Sequence, residues 1–146
     1  MNNSDDKYEK YFLDYLKNNA KKLSYSIKDT QISDDTATVK VDVKYIDGTP
    51  LIKDTISEYL TQAFSSVMSG SDMSDEEMSQ MLLSIMQEKQ KTLTDSYVEK
   101  TLAVKCVKVN GNWYIEEVTD DLLNVVSSNF YSLAKSISDS FNSGLE

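Results

Sequence analysis

An α+β fold, with a four-stranded antiparallel sheet and helices packed mainly on one face, is predicted for this chain of 146 residues. Three observations carry the prediction. Between Tyr97 and Val118 a single Asn110-Gly111 step divides two strand-like runs, and Asn-Gly suits the two-residue turn with positive φ at both positions. From Ala37 to Tyr45, apolar Ala37, Val39, Val41, Val43 and Tyr45 alternate with Thr38, Lys40, Asp42 and Lys44. That is the mark of a strand with one wet face. The remaining segments repeat their apolar residues at three and four, the helical spacing.

Taken in order, residues 8–22 read as a helix, with Tyr8, Tyr11, Phe12, Tyr15, Leu16 and Ala20 on one face. The period then falls to two, Leu23, Tyr25 and Ile27 alternating with Ser24, Ser26 and Lys28. Ser33-Asp34-Asp35 turns the chain into the Ala37–Tyr45 strand, and so short a loop pairs the two strands as a hairpin. Asp47-Gly48 ends that strand. Thr49 is read as the cap of a helix with Pro50 in its first turn, where a missing N–H costs nothing. Its apolar face reads Ile52, Ile56, Tyr59, Leu60, Ala63, Phe64 and Val67, and Gly70 terminates it. Ser74 and Glu77 have the capping-box spacing, opening a helix through Met78, Met81, Leu82, Ile85 and Met86 to about Leu93.

In the following hairpin the turn places Val109 opposite Asn112, Lys108 opposite Trp113 and Cys106 opposite Ile115. Leu102, Val104, Cys106, Trp113 and Ile115 then share a face. Thr119-Asp120-Asp121 caps one long final helix marked by Leu122, Val126, Phe130, Leu133, Ile137 and Phe141. The order is α-β-β-α-α-β-β-α. It reads as a single domain over residues 1–146, with a helical insertion at about 50–95. Gly144 followed by Leu145-Glu146 is the pattern of a tag-derived end, with Met1 then supplied by a vector.

Composition removes several chemistries. Fifteen basic against twenty-four acidic residues leave a net charge of −9, a field that repels phosphate backbones and anionic lipid, so no nucleic-acid partner is expected. Without histidine there is no imidazole general base, imidazole ligand or Ser-His pair. The lone Cys106 excludes an intrachain disulfide and a thiolate zinc site, and its mid-strand apolar setting reads as an inert thiol. No run approaches the roughly 20 apolar residues of a membrane span.

Three segments together resemble a cystatin-like or nuclear transport factor 2-like domain, of the uncharacterised kind found in Gram-positive surface lipoproteins. They are the strand pair Leu23–Asp47 with DTATVKVDVKYIDGT, the helical insertion from Pro50 to about Asp95, and VKVNGNWYIEEVTDDLLNVV from Val107 to Val126. The resemblance implies an extracytoplasmic location, held by a lipid anchor that this chain does not contain. It transfers no catalytic residue, since the carboxylate and tyrosine pattern of the pocket isomerases in that superfamily finds no match.

The candidate site residues are each weighed against a plainer role. Met78 and Met81, in a cluster with Met68, Met73 and Met86, would suit an adaptable apolar groove or a thioether copper site, yet their helical spacing reads first as core. The acidic groups Asp5-Asp6, Asp72–Glu77 and Asp120-Asp121 lack the ligand alternation of a calcium loop and sit where helices start, so they read as caps. Glu117 falls on the apolar face if the strand continues, where a raised pKa would make it a general base. It reaches solvent if the strand ends. Tyr45 and Tyr114 are candidates to line a ligand cavity, and Ile137 and Phe141 to form an interface. The expectation is a non-enzymatic module, without cofactor or metal, that binds a small apolar ligand, a peptide or an envelope protein. The alternatives are a pocket enzyme of isomerase or dehydratase type based on Glu117, and a structural homodimer joined through residues 122–141.

Overall fold

The computed structural model describes residues 3–143, with side chains from Asp6 onward; Met1, the Asp5 side chain and the Gly144-Leu145-Glu146 end lie outside the described residues. The chain divides into two compact units, Met1–Tyr15 with Gly48–Ser96, and Leu16–Asp47 with Tyr97–Glu146. Helix α1 spans Asn3–Ala20.

The second unit contains the sheet. Strands β1 (Ser24–Ser33), β2 (Thr36–Ile46), β3 (Tyr97–Val109) and β4 (Asn112–Ile115) lie in the order β1-β2-β3-β4, every neighbour antiparallel. Asn110 and Gly111 both have positive φ, 50° and 83°, and the register they set pairs Lys108 with Trp113 and Cys106 with Ile115, as the sequence predicts. The strand itself stops sooner than expected, at Ile115 in place of Val118. One further step of alternation would put the Glu117 carboxylate on the apolar face, so the ladder closes with Glu116 N–H donating to the Lys105 carbonyl (2.9 Å) and the chain turns away.

Strand β1 is longer than its alternation suggests because its parity changes. Ile27 pairs with Val41 and Asp29 with Lys40, leaving Lys28 as the extra residue of a β-bulge. Beyond it Thr30 and Ile32 occupy the face that Tyr25 and Ile27 occupy before it.

Helix α4 (Asp120–Val126), capped by the Thr119 hydroxyl accepting from Leu122 N–H (3.3 Å), lays Leu122 and Val125 over Val43, Tyr45 and Leu102. Leu23, Val41, Val98 and Val104 complete this core. The single long final helix expected from the sequence is two helices: α4 ends at Val126 and α5 spans Phe130–Ser143. Ser128 and Asn129 take positive φ (53° and 67°), and Asn129 N–H donates back to the Asn124 carbonyl at 2.9 Å. Serine and asparagine bond the backbone locally, which competes with helix continuation. Ser127 Oγ accepts from Tyr131 N–H (3.1 Å) and Asn124 Oδ1 from Ser132 N–H (3.0 Å), satisfying donors that the new helix start would leave orphaned. The break is anchored to the rest of the unit. Buried Asn19 Nδ2 donates to Ser128 Oγ (3.0 Å), Tyr45 OH to Asn129 Oδ1 (2.8 Å), and Asn129 Nδ2 to Asp47 Oδ1 (3.1 Å).

The first unit is helical, with α2 (Thr49–Met68) and α3 (Asp75–Thr92) packed on one another. The cap of α2 is Gly48, one residue earlier than expected, with Pro50 in the first turn as predicted. At its end Gly70 (φ 73°) donates to the Val67 carbonyl and Ser71 N–H to that of Ser66, both 3.0 Å, a Schellman closure. The Ser74–Glu77 capping box is present. Tyr11 OH donates to Gln90 Oε1 (2.7 Å) and Tyr8 OH to the Ser79 carbonyl.

The buried face of α2 is not the expected one. Leu51 and Thr55 are buried, and among the described residues no hydrogen-bond partner reaches the Thr55 hydroxyl. Ile56, Leu60, Phe64 and Val67 are exposed. At ~100° per residue, the Leu60–Phe64–Val67 stripe lies roughly 160° round from Leu51 and Thr55, an apolar arc too wide for one neighbour to cover.

Two stability measurements follow from these contacts. Asn129→Ala, which strips Tyr45 and Asp47 of a partner and places a Cβ-only side chain at positive φ, is expected to lower urea-unfolding stability by about 2–3 kcal/mol, and Tyr45→Phe by about 1. Thr55→Val, keeping shape while deleting an unpaired hydroxyl, is expected to raise stability by about 1 kcal/mol. A destabilised Thr55→Val protein would contradict the packing described.

Candidate interaction surface

The apolar side of the sheet is assembled row by row by the ladder. One row is Ile27, Val41 and Leu102; the next is Thr30, Val39 and Val104; the next is Ile32, Ala37, Cys106 and Ile115; and Trp113 follows beside Lys108. Helix α4 covers the end of this face nearest Tyr45. Towards the opposite end the edge-strand residues Ile32, Trp113 and Ile115 are between 42% and 65% exposed, as is Ile27 at the β1 end of the Leu102 row, while Ala37 between Ile32 and Cys106 is buried. Lys108 Nζ stands 5.8 Å from the centre of the Trp113 ring, a cation–π contact at the border of the patch. Ile115 and Trp113 occupy successive rows at the β4 edge, and Ile32 ends the Ile115 row at the β1 edge, with buried Ala37 and half-buried Cys106 between them. Large apolar side chains exposed on one face mark interaction sites more often than scattered exposure does.

The other side of the sheet is a solvated lattice of charge. Lys44 pairs with Glu99 (3.0 Å), Lys28 with Asp42 (3.1 Å), and Thr101 Oγ1 donates to Asp42 (2.6 Å). Two open hollows lie along it, one lined by Ser24, Ser26, Asp42, Lys44, Glu99 and Thr101, the other by Gln31, Ser33, Thr36, Thr38, Lys105 and Glu116. The Thr101 hydrogen bond first, and Lys28 second, hold the Asp42 carboxyl below its ordinary range.

The residues singled out from the sequence are dispersed. Tyr45 is buried in the core; burial pushes its phenol up, Asp47 and Asp121 add to this, and Lys100 opposes it. Tyr114 pairs with Val107 on the opposite side of the sheet and is exposed, so the two tyrosines share no cavity. Met78 and Met81 are half-buried on α3, above the buried pair Ile85 and Met86. Ile137 and Phe141 are both exposed, one turn apart on α5, with an open hollow between them and Ser136 and Ser140. The Glu117 side chain is 62% exposed and stands 3.8 Å from Lys105 Nζ. Cys106 is free and half-buried. Among the described residues no three Asp, Glu, Cys or His side chains gather as metal ligands, and the Asp72–Glu77 and Asp120-Asp121 groups lie at helix starts. Sequence reasoning missed Ile32, whose membership of the apolar face depends on the bulge at Lys28.

The family described as a domain of unknown function (DUF5105) matches over residues 1–131. The chain belongs to that family. The DUF5105 match takes in every strand and helix as far as the start of α5. No curated protein matches the chain. Among solved structures it is similar to that of a candidate lipoprotein, ycdA, from Bacillus subtilis, with 24% identity and a TM-score of 0.50. The match covers 80% of this chain and 37% of that one, and it speaks for the fold. No helix of the described residues is long and apolar enough to cross a membrane.

The ionisable groups of both units predict a stability plateau with two edges. Asp42, Glu58, Glu77 and Asp120 are all held below their ordinary values, by hydrogen bonds from Thr101, Gln62, Ser74 and Lys135 respectively. Their contribution is present above the ordinary carboxylate pKa and is lost as pH falls through the depressed values. Burial and Tyr15 push Tyr11 up to about 12, so its contribution is full below the ordinary phenol pKa and disappears as pH climbs towards 12. Urea titrations across pH should show both edges, with Tyr11→Phe softening the alkaline edge alone. An alkaline edge indifferent to Tyr11→Phe would refute the assignment.

Proposed function

We propose that this chain is a non-enzymatic binding module of a cell-surface lipoprotein, and that the open end of its sheet receives an apolar segment of a peptide or envelope protein. One observation carries the reading: Ile32 at one edge of the sheet and Ile115 and Trp113 at the other stay exposed on its apolar side, beyond the rows that α4 covers. A rigid apolar platform with a cationic border suits recognition of a partner's side chains and offers no constellation for chemistry. The enzyme alternative gains nothing from an exposed, ion-paired Glu117. The surface location is supported by the lipoprotein description of ycdA. The cystatin-like or nuclear transport factor 2-like architecture is supported by the Trp-x-Ile hairpin and the helices inserted between β2 and β3. We also take the two units as one domain, because the DUF5105 match runs across both.

The test is capture from an envelope extract by the wild-type chain and by a variant carrying Ile32→Asp and Ile115→Asp, with folding checked by circular dichroism. Both positions are exposed, so the variant is expected to fold and to lose the captured partner, and Trp113 emission should shift to the blue when the partner binds the wild type. Equal capture by both proteins would sink the proposal. For location, a lipid-attachment cysteine encoded upstream in the parent gene supports the reading, and a cytoplasmic start removes it.

A further inference from the structure

Helix α2 carries a second apolar face, separate from the sheet and from the residues it buries. Leu60, Phe64, Val67 and Met68 are between 60% and 73% exposed, and an open groove runs between Leu60, Phe64 and Val67 past Thr61, Ala63 and Ser65. The thirteen residues from Tyr59 to Ser71 contain no charged side chain, although 27% of the chain is charged. Both features point to one kind of occupant.

We infer that this stripe of α2 is a self-association face, pairing with the same stripe of a second copy about a two-fold axis near Phe64. Charge selects the partner. Two chains of net charge −9 repel, so close contact is least opposed where neither presents charge, and α2 meets that requirement from Tyr59 to Met68, about 2.8 turns. Geometry agrees. In an antiparallel pair centred on Phe64, that ring packs beside its own counterpart, Leu60 meets the counterpart of Met68, and the small Ala63 and Ser65 leave the grooves into which these ridges fit. Area sets the strength. Four such side chains offer on the order of 500 Å² per copy, and about 1,000 Å² for the pair is the lower bound of a specific interface. The result is a weak, reversible dimer. No ion pair contributes to it, so salt strengthens it by screening the repulsion between the two chains.

The experiment is sedimentation equilibrium of the full chain up to about 100 µM, at low and high salt. A concentration-dependent dimer is expected that tightens as salt rises. Phe64→Asp, at an exposed position, should weaken it by about thirtyfold or more, while Phe141→Asp on α5 leaves it unchanged. In a Cys106→Ser background, Phe64→Cys should oxidise to a crosslinked dimer, since residues on the axis face themselves. A monomer at every concentration overturns the inference. So does a dimer indifferent to Phe64→Asp, one abolished by Phe141→Asp, or one loosened by salt.

Discussion

The ladder between β2 and β3 organises the second unit. It pairs all eleven residues of β2, from Thr36–Val107 to Ile46–Tyr97, without a shift in register. Because side chains alternate, this one register sends Val43, Tyr45 and Leu102 to the side that α4 covers, and Asp42, Lys44, Glu99 and Thr101 to the side that water covers. The hairpins at each edge only extend the pattern. The same ladder explains how the whole stretch Gly48–Ser96 can be inserted between its two strands. Closing a longer loop costs little more than closing a short one, since the entropy grows with the logarithm of length.

Much of this was legible in the residues. Asn110-Gly111 set the β3–β4 register because both positions need positive φ, and Ser74 and Glu77 announced their helix because the capping box satisfies two donors reciprocally. Gly70 was recognisable for the same local reason. What escaped depends on contacts that spacing does not encode. Helix α2 has apolar residues around more than half its circumference, so periodicity could not say which side would be buried. The break at Ser127–Asn129 interrupts a stripe that continues in phase from Leu122 to Phe141. Only the polar triplet marks it, and its meaning emerges with the partners Asn19, Tyr45 and Asp47. Of the candidate sites, the fate of Glu117 turned on where β4 stops, and element ends are the weakest part of any pattern reading.

That break also shows how a polar cluster can organise a small core. Tyr45 places its ring among Val43, Leu102 and Val125 while its hydroxyl reaches Asn129, so one residue belongs both to the apolar cluster and to the hydrogen-bonded corner. Lys100, the one charged residue facing α4 from the covered rows, is paired with Asp121 in the helix's first turn. Tyr45 and Lys100 therefore each have a partner that also fixes the position of a helix. Beyond Val39 and Val104 no such attachment is made, and Ile32, Ile115 and Trp113 at the two sheet edges stay exposed.

The extra residue at Lys28 has a consequence for how the molecule behaves in company. Strand β1 is ten residues long, exposed along its whole length, and has no neighbour in the sheet on its outer side. A flat edge of that kind is a template on which further strands can grow into ribbons. The bulge offsets the outward N–H and C=O groups midway along the strand, and it turns the Lys28 ammonium towards Asp42. An incoming strand would fall out of step after a few residues, so one surplus residue guards an otherwise open border against runaway polymerisation.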